Sequence, residues 1–311
     1  MTGGGGFIGS SLACKLADSN KVVLYDIDFS KNAVGYTKLP KNKNVTMIKG
    51  SILDYEKMKE AARGSNYIVH AAAVVGVQNV LRNSHKTIET NFIGTANVFR
   101  AAEEQPDLKR AVYFSTSEVF GINAFQVDEE AHTVFGSNKE PRWSYSISKI
   151  AGEHLVQSYN RENALPTVVI RPFNVFGPRR IGEHVIRIFM LKALRGETIT
   201  VHNDGSQIRA WCYIDDMTQA LMAALSRKSA IGEAFNIGNP QNSVNVYQLA
   251  VKIRDICKSK SKIVTRPINF PDIELRVPDI RKAAKLLGYK PEFEIDRALE
   301  ITRDWYKKYL I

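Results

Sequence analysis

A tyrosine and a lysine four positions apart, Tyr145 and Lys149, have the types and spacing best suited to proton transfer in this chain. They lie in a stretch with a helical pattern, so both side chains project from one face of the helix. An ammonium one turn away stabilises a tyrosinate and lowers its pKa from about 10 toward the working pH. The pair is therefore expected to take a proton from a hydroxyl while a hydride leaves the same carbon. Taken alone, such a pair is by default part of an ordinary surface helix.

Three glycines near the start of the chain, Gly3, Gly6 and Gly9, have the spacing of a dinucleotide-binding turn within TGGGGFIG. Glycine permits the tight turn, the approach of backbone N–H groups to a pyrophosphate and close packing of the following helix. Asp26 ends the run KVVLYD, about 20 residues after Gly6, where a carboxylate accepts hydrogen bonds from an adenosine ribose. An acid there repels the additional phosphate of NADP, so the sequence predicts NAD as the cofactor. The simpler alternatives are a flexible glycine loop and a helix or turn cap at Asp26.

A polar run, Thr116, Ser117 and Glu118, follows the apolar stretch 111–115. The pair Tyr145 and Lys149 comes after this run, and both come after the glycine turn. The co-occurrence of the three motifs supports dehydrogenase-type chemistry more strongly than any one of them. The simpler alternative for Glu118 is a polar residue at a strand end.

Short apolar runs alternate with longer helical patterns over the first half of the chain. Nearly continuous apolar strands are typical of a parallel sheet covered by helices on both faces, and this alternation predicts a doubly wound α/β sheet of the Rossmann type. The predicted strands are 21–25, 45–48, 67–71, 111–115 and 167–171. The predicted helices are 8–18, 54–63, 83–103 and 145–163.

Beyond residue 172 the alternation of strand and helix patterns becomes less regular. The sequence predicts that this part forms a smaller α/β lobe that binds the substrate. We therefore expect an NAD-binding domain at 1–172 and a substrate-binding lobe at 173–311, with some segments interleaving. The predicted elements of the lobe are helices 184–195, 215–227, 245–257 and 295–309 and strands 198–202 and 234–237. Only Met1 and Thr2 precede the glycine turn, where a central strand is expected. Either residues have been lost at the start of the chain, which we expect, or another segment occupies that position.

Composition excludes several classes of protein. Of the 311 residues, 44% are hydrophobic and 24% are charged, which is ordinary for a globular protein and excludes a disordered or collagen-like chain. Lys and Arg exceed Asp and Glu by 43 to 32, a net charge of +11, which fits a phosphorylated ligand, a nucleic acid, a membrane face or simply a basic surface. Three scattered cysteines fit neither a disulfide framework nor a metal cluster, so we expect no metal and a reducing cytoplasm. The longest apolar stretch, 67–80, is interrupted by polar residues and is shorter than the ~20 residues that span a membrane.

With these motifs in place, the chain resembles the extended short-chain dehydrogenase/reductase family, specifically its NAD-dependent nucleotide-sugar epimerases, dehydratases and decarboxylases. The resemblance extends over nearly the whole chain and is much less specific to one reaction than to the family. The matching segments are TGGGGFIG, NFIGT at 91–95, STSEVFG at 115–121, YSISK at 145–149, RPFNVFGPR at 171–179, GSQIRAWCYIDD at 205–216, NIGNP at 236–240 and RVPDI at 276–280.

The resemblance implies a role for each residue at a matching position. Thr116 would hydrogen-bond the sugar beside Tyr145, and Lys149 would also hold the nicotinamide ribose. Besides the glycines and Asp26, the implied NAD contacts are Phe7, Ile8, Ile52, Asp54, Ala71, Ala73, Asn91, Phe173, Tyr145 and Lys149. The implied substrate contacts are Asn174, Arg179, Arg209 and Arg276, with Arg209 on the nucleotide diphosphate and Arg276 on a diphosphate or a carboxylate.

Ser117 and Glu118 discriminate between the reactions of the family. Simple 4-epimerases usually have small neutral residues there, and Thr-Asp-Glu marks many 4,6-dehydratases. Thr-Ser-Glu, as here, looks most like UDP-glucuronate decarboxylases, although it also occurs in GDP-mannose dehydratases. We therefore rank a UDP-sugar decarboxylase above a 4-epimerase and a 4,6-dehydratase, each acting through a 4-keto sugar with NAD kept bound.

A non-catalytic NAD-binding or RNA-binding relative is the alternative from another class, favoured only by the basic charge. Intact Thr116, Tyr145 and Lys149 speak against it, and neither a nucleic acid nor a membrane is expected as a partner. The resemblance also implies a homodimer in which the helices at 83–103 and 145–163 of two copies form a four-helix interface.

Overall fold

The computed structural model describes residues 1–30, 32–268 and 273–311, which form a mixed α/β fold. Its strands are β1 Val22–Asp26, β2 Val45–Lys49, β3 Tyr67–His70, β4 Arg110–Phe114, β5 Asn123–Val127, β6 Thr167–Pro172, β7 Val175–Phe176, β8 Ile199–His202, β9 Ile208–Ala210, β10 Cys212–Tyr213, β11 Ala234–Ile237, β12 Ser243–Asn245, β13 Ile263–Arg266 and β14 Leu275–Pro278. Its α-helices are α1 Phe7–Leu16, α2 Tyr55–Ala62, α3 Val77–Arg82, α4 Ser84–Glu103, α5 Ser144–Asn163, α6 Val185–Leu194, α7 Ile214–Ser226, α8 Val246–Ile256, α9 Arg281–Leu287 and α10 Ile295–Tyr309.

The main sheet is parallel and carries the cofactor motif at its centre. Strands pair in the order β11, β6, β4, β3 on one side and β1, β2 on the other. Thr2 joins the two groups, since it forms parallel bridges to both Tyr25 and His70. The position predicted for a first central strand is thus held by Met1 and Thr2, and the glycine turn follows directly at the carboxyl edge of the sheet.

A second, smaller sheet has four strands. It runs β12, β9, β14, β5, with β12 antiparallel to β9 and the other pairs parallel. Sheet membership crosses residue 172 in both directions, because β11 completes the main sheet and β5 belongs to the smaller one. The two predicted units therefore interleave.

The hydrophobic core continues from the main sheet into the lobe. All five residues of β4 are buried, as expected for a strand covered on both faces. One cluster joins the β4 and β6 side chains to helices α6, α7, α8 and α10, and a second lies under α2, α4 and α5. In the described ranges, no helix is both long and apolar enough to cross a membrane.

Candidate active site

The glycine turn is closed so tightly that side chains would not fit. Gly3 has a φ of +67°, and a Cβ built there would lie 2.7 Å from the backbone nitrogen of Ala72. A Cβ on Gly9 would lie 2.4 Å from the carbonyl oxygen of Gly3, to which the Gly6 N–H donates a 3.1 Å hydrogen bond. Gly6 caps α1 without a side chain, so the first N–H groups of this helix remain available for an anion. This cradle fits the pyrophosphate of a dinucleotide.

Asp26 ends β1 beside this turn. Its Oδ2 accepts a 3.0 Å hydrogen bond from the Gly5 N–H, so the carboxylate and the glycine turn are held together. Burial raises the pKa of Asp26, and backbone N–H donors, including that of Gly5, partly offset the effect. The half-buried carboxylate lies where the sequence predicts the ribose contact.

Five other predicted cofactor residues shape the walls of the same edge. The Asp54 carboxylate is exposed and caps α2 by accepting a 3.1 Å hydrogen bond from the Lys57 N–H. Ile52 is buried where a Cβ on Gly94 would collide with its side chain. Asn91 exchanges hydrogen bonds of 2.7 and 3.2 Å with the backbone of Val74 and so fixes the loop after β3. That loop contains Ala71 and Ala73, both half-buried.

Tyr145 lies in the first turn of α5 and shares a hydrogen bond with the Thr116 hydroxyl. Burial and the charge of Glu118 raise the pKa of Tyr145, while Thr116 and the guanidinium groups of Arg180 and Arg142 lower it. The net direction is upward, opposite to the lowering expected from Lys149, because the cost of burying a phenolate outweighs these stabilising groups.

Lys149 is almost completely buried one turn further along α5. Its Nζ lies 4.3 Å from the ring centroid of Tyr113, a cation–π contact. Burial lowers the pKa of Lys149 to about 7, and the carboxylate of Glu153 opposes this. A lysine poised near neutrality can bind a hydroxyl group either as a donor or as an acceptor.

Glu118 is held as an anion by an arginine that the sequence reasoning missed. Arg142, three positions before Tyr145, forms two hydrogen bonds with it, Nη1 to Oε2 at 2.6 Å and Nη2 to Oε1 at 3.1 Å. The Ser146 hydroxyl donates a third at 3.3 Å. Burial alone would raise the pKa of Glu118, but Arg142, aided by Arg276, holds it below its usual value. None of the sequence motifs quoted above contains Arg142. The only sequence signal for its role was an arginine three positions before Tyr145.

Arg276 lies on β14 and contacts the same turn. The residue is 2% exposed, and its guanidinium donates hydrogen bonds to the backbone carbonyls of Ser117 and Gly121. The resemblance assigned Arg276 to a diphosphate or a carboxylate. In this structure its guanidinium supports the turn that carries Ser117 and Glu118, and the predicted contact with a diphosphate or a carboxylate stays a prediction.

Two further predicted substrate residues also donate to protein atoms. The Arg209 guanidinium donates to the backbone carbonyls of Ile208 at 3.0 Å and Glu274 at 3.3 Å. Arg179 donates to the Ser11 hydroxyl at 3.1 Å, so its guanidinium lies against α1.

The two predicted residues after β6 support the strand connection beside the site. Phe173 is fully buried and packs on Phe120, with ring centroids 6.1 Å apart. The Asn174 side chain donates a 3.0 Å hydrogen bond to the Ala210 carbonyl. The contacts predicted for these residues with NAD and substrate stay predictions.

Comparisons with known proteins agree with this arrangement. The model of the NAD dependent epimerase/dehydratase family matches residues 1–238. UDP-N-acetyl-alpha-D-glucosaminuronate decarboxylase from Bacillus cytotoxicus is 33% identical over 317 residues, covering 99% of this chain and 97% of the relative. UDP-glucuronic acid decarboxylase 1 from Xenopus tropicalis is 31% identical, covering 100% of this chain and 72% of the relative.

Solved structures show the same fold. UDP-glucose 4-epimerase from Thermotoga maritima, with UDP-glucose, has a TM-score of 0.90 at 29% identity, covering 100% of this chain and 98% of the other. UDP-glucuronic acid 4-epimerase from Bacillus cereus, with UDP-glucuronic acid and NAD, has a TM-score of 0.89 at 26% identity, covering 99% and 98%.

These findings confirm the predicted Rossmann-type fold, the predicted NAD cofactor and the predicted class of nucleotide-sugar enzymes. The glycine cradle beside Asp26 provides the structural counterpart of the family match. The chain belongs to the NAD-dependent epimerase/dehydratase family.

Proposed function

We propose that this enzyme decarboxylates a UDP-linked uronate through a 4-keto intermediate. The observation that carries the proposal is the Glu118 carboxylate, which is held ionised by two hydrogen bonds from Arg142. Glu118 follows Ser117 directly in the chain, and its charge is close enough to Tyr145 to raise the pKa of the phenol. Elimination of water needs an acid that protonates the departing hydroxyl. Ser117 is no such acid, and Glu118 is held ionised by Arg142. Loss of carbon dioxide from a β-keto acid needs no protonated leaving group.

The residues at the carboxyl edge of the main sheet divide the proton chemistry between them. Tyr145 acts in its ionised form: the phenolate takes the proton from the hydroxyl on sugar carbon 4, and the Thr116 hydroxyl hydrogen-bonds the same oxygen. Lys149 would hold the nicotinamide ribose of bound NAD. Bound NAD supplies the hydride acceptor for this oxidation. Oxidation at carbon 4 places a ketone β to the carboxylate on carbon 5. When carbon dioxide leaves, the electron pair of the breaking carbon–carbon bond forms an enolate, which takes a proton at carbon 5. The ketone at carbon 4 then regains the hydrogen removed from that carbon, together with the proton held by Tyr145.

Product analysis tests the reaction directly. The purified enzyme with NAD is incubated separately with UDP-glucuronate, UDP-N-acetylglucosaminuronate, UDP-glucose and UDP-N-acetylglucosamine, and the products are examined by mass spectrometry and NMR. We expect one of the two uronates to lose carbon dioxide. A product lighter by one water would support a dehydratase instead and would overturn the proposal.

A 4-epimerase is the second candidate, and the structural neighbours favour it. Both epimerases described above superpose over nearly the whole chain. Epimerisation leaves the mass unchanged and alters the proton couplings at carbon 4, so the same experiment separates the two. We rank the 4-epimerase second because of the Glu118–Arg142 pair. Epimerisation requires only that the 4-keto sugar rotate within the site, and this rotation does not need a carboxylate held ionised by an arginine.

Replacement of Asp26 by alanine is expected to weaken NAD binding by about tenfold or more, the size of a lost hydrogen bond to a charged group. Isothermal titration with NAD measures the change. Asp28→Ala is the matched control, since Asp28 is an exposed acid two residues further on. Equal affinity of Asp26→Ala and the native protein would place the ribose elsewhere.

We also propose a homodimer formed by α4 and α5. Ile88 and Phe92 on α4 and Ile147 on α5 are large apolar side chains that remain exposed, and such groups on neighbouring helices are typical of a protein interface. A symmetric pairing of two copies would bury them.

The variant Phe92→Glu is expected to convert the dimer into a monomer in light scattering, because it places a charge at the centre of that face. Ile231→Glu, at an exposed apolar position outside both helices, is expected to leave the dimer intact. A native protein that is monomeric at micromolar concentration would contradict the dimer.

We further place the enzyme in a reducing, cytoplasmic setting. Cys14, Cys212 and Cys257 are all free thiols. Burial raises the pKa of Cys257 to about 11, so this thiol stays protonated and unreactive.

A further inference from the structure

Two arginines and a histidine stand at the start of α6: Arg180, Arg187 and His184, here called the α6 cationic cluster. The arginines carry the charge, since burial holds the pKa of His184 well below its usual value and keeps the imidazole neutral. The Nε atoms of both arginines and the Nδ1 atom of His184 are buried and have no hydrogen-bond partner in the described part of the chain. Buried polar atoms in proteins are nearly always hydrogen-bonded. Three such atoms within eight residues indicate that a ligand supplies their partners.

Among the described residues, the charge of Arg180 and Arg187 is not balanced by a salt bridge. No carboxylate of the described residues forms a salt bridge, within 4.0 Å, with Arg180 or Arg187. His184 is the N-cap of α6, yet its side chain does not cap the helix. The free N–H groups of this helix start add to the positive potential. A buried cation without a counter-charge is costly, so the cluster favours an anion.

The cluster faces the reaction centre. The Arg180 Cζ lies 5.4 Å from the ring centroid of Phe7, the first residue of α1 after the glycine turn. Its backbone is fixed by a 2.7 Å hydrogen bond that the Tyr306 hydroxyl donates to the Arg180 carbonyl. The charge of Arg180 also lowers the pKa of Tyr145, which requires the two side chains to be close.

We propose that the α6 cationic cluster binds an anionic oxygen group of the substrate, with Arg180 as the principal contact. The group is a phosphate of the nucleoside diphosphate or the carboxylate of the uronate; both offer the acceptor oxygens that a guanidinium fork fits. The inference rests on the proposed function for the identity of the substrate. It differs from the sequence-based assignment of the diphosphate to Arg209, whose guanidinium donates to backbone carbonyls.

Binding measurements on Arg180→Gln and Arg187→Gln test the cluster independently of turnover. The probes are UDP, UDP-glucose and UDP-glucuronate, each titrated calorimetrically into the NAD-loaded protein. Arg180→Gln is expected to weaken binding of UDP-glucuronate by about tenfold or more, with a smaller loss for Arg187→Gln. Arg297→Gln, an exposed arginine on α10, is the control and is expected to bind like the native protein. NAD affinity and the melting temperature report whether each variant is folded.

The three probes separate the two sources of the anion. Equal losses for UDP and UDP-glucuronate in Arg180→Gln identify a phosphate, and a loss confined to UDP-glucuronate identifies the carboxylate. Unchanged affinity for all three probes in a folded Arg180→Gln variant overturns the proposal. If Arg180→Gln does not fold, Arg180→Lys replaces it in the test. Lysine keeps the charge but loses the two-pronged guanidinium, so this variant is expected to bind UDP-glucuronate more weakly. Native affinity of Arg180→Lys for UDP-glucuronate would then overturn the proposal.

Failure of the proposed reaction has a different signature. In one outcome, the native protein binds UDP more tightly than Arg180→Gln does and still converts no nucleotide sugar. That result would support the α6 cationic cluster as an anion site and would show that the proposed reaction is wrong. A native protein that binds none of the probes would overturn both.

Discussion

Replacement of Tyr145 by phenylalanine is expected to lower turnover by about 100-fold or more, the size of a general-base contribution. The ionised oxygen of Tyr145 is the atom that takes the proton from the sugar hydroxyl, and phenylalanine removes only that oxygen. Its neighbour Thr116 keeps a hydroxyl at the site and hydrogen-bonds the Glu118 N–H at 3.2 Å, so the turn remains formed. Steady-state turnover of the uronate substrate, with NAD affinity as the folding check, measures the loss.

Tyr213→Phe is the matched control for this change. Tyr213 is a buried tyrosine of the lobe that packs on Phe293, with ring centroids 4.4 Å apart. Its phenol has no role in the proposed chemistry, so turnover should stay within a few-fold of native. Near-native turnover of Tyr145→Phe would exclude Tyr145 as the base.

The second large effect is expected for Glu118→Gln. The amide keeps the shape of the side chain and one acceptor for Arg142, but it removes the negative charge. Loss of that anion is expected to lower carbon dioxide release by about 100-fold, as for removal of a preorganised charge in an active site. Folding should suffer less, because the amide oxygen still accepts a hydrogen bond from the guanidinium. Trapped carbon dioxide is the readout, with the melting temperature measured in parallel.

Glu130→Gln, at an exposed glutamate outside the site, is the control for Glu118→Gln. A second comparison uses Arg142→Lys, which keeps a cation and loses the two-pronged contact. If Glu118 acts as a clamped anion, both Glu118→Gln and Arg142→Lys reduce the rate of decarboxylation. Full carbon dioxide release by Glu118→Gln would show that this residue only supports the turn.

Features that depend on residues close together in the chain could be predicted from the sequence. The spacing of Gly3, Gly6 and Gly9 predicts a tight turn into a helix, and α1 begins at Phe7. The helices predicted at 83–103 and 145–163 match α4 and α5 within a residue, because long amphipathic patterns leave little freedom.

Contacts between distant segments could not be read from the sequence. Arg142 meets Glu118 across 24 positions of sequence, and Arg276 reaches the Ser117 carbonyl from the far end of the chain. The short strands β5, β9 and β14 were not predicted, since runs of three to five residues carry too little periodicity. The role of Arg209 was inferred from its motif, whereas its hydrogen bonds are set by how β9 packs beside β14.

The central claim is that a nucleotide sugar is oxidised at carbon 4 and that the hydrogen removed there is returned. The most direct measurement uses UDP-glucuronate and UDP-N-acetylglucosaminuronate, each carrying deuterium at carbon 4, in ordinary water, with product analysis by NMR and mass spectrometry. The account predicts that one of them gives a decarboxylated UDP-sugar that retains the deuterium at carbon 4, formed more slowly than from unlabelled substrate. A product whose deuterium has exchanged with water, or the recovery of both uronates intact after long incubation, would contradict it.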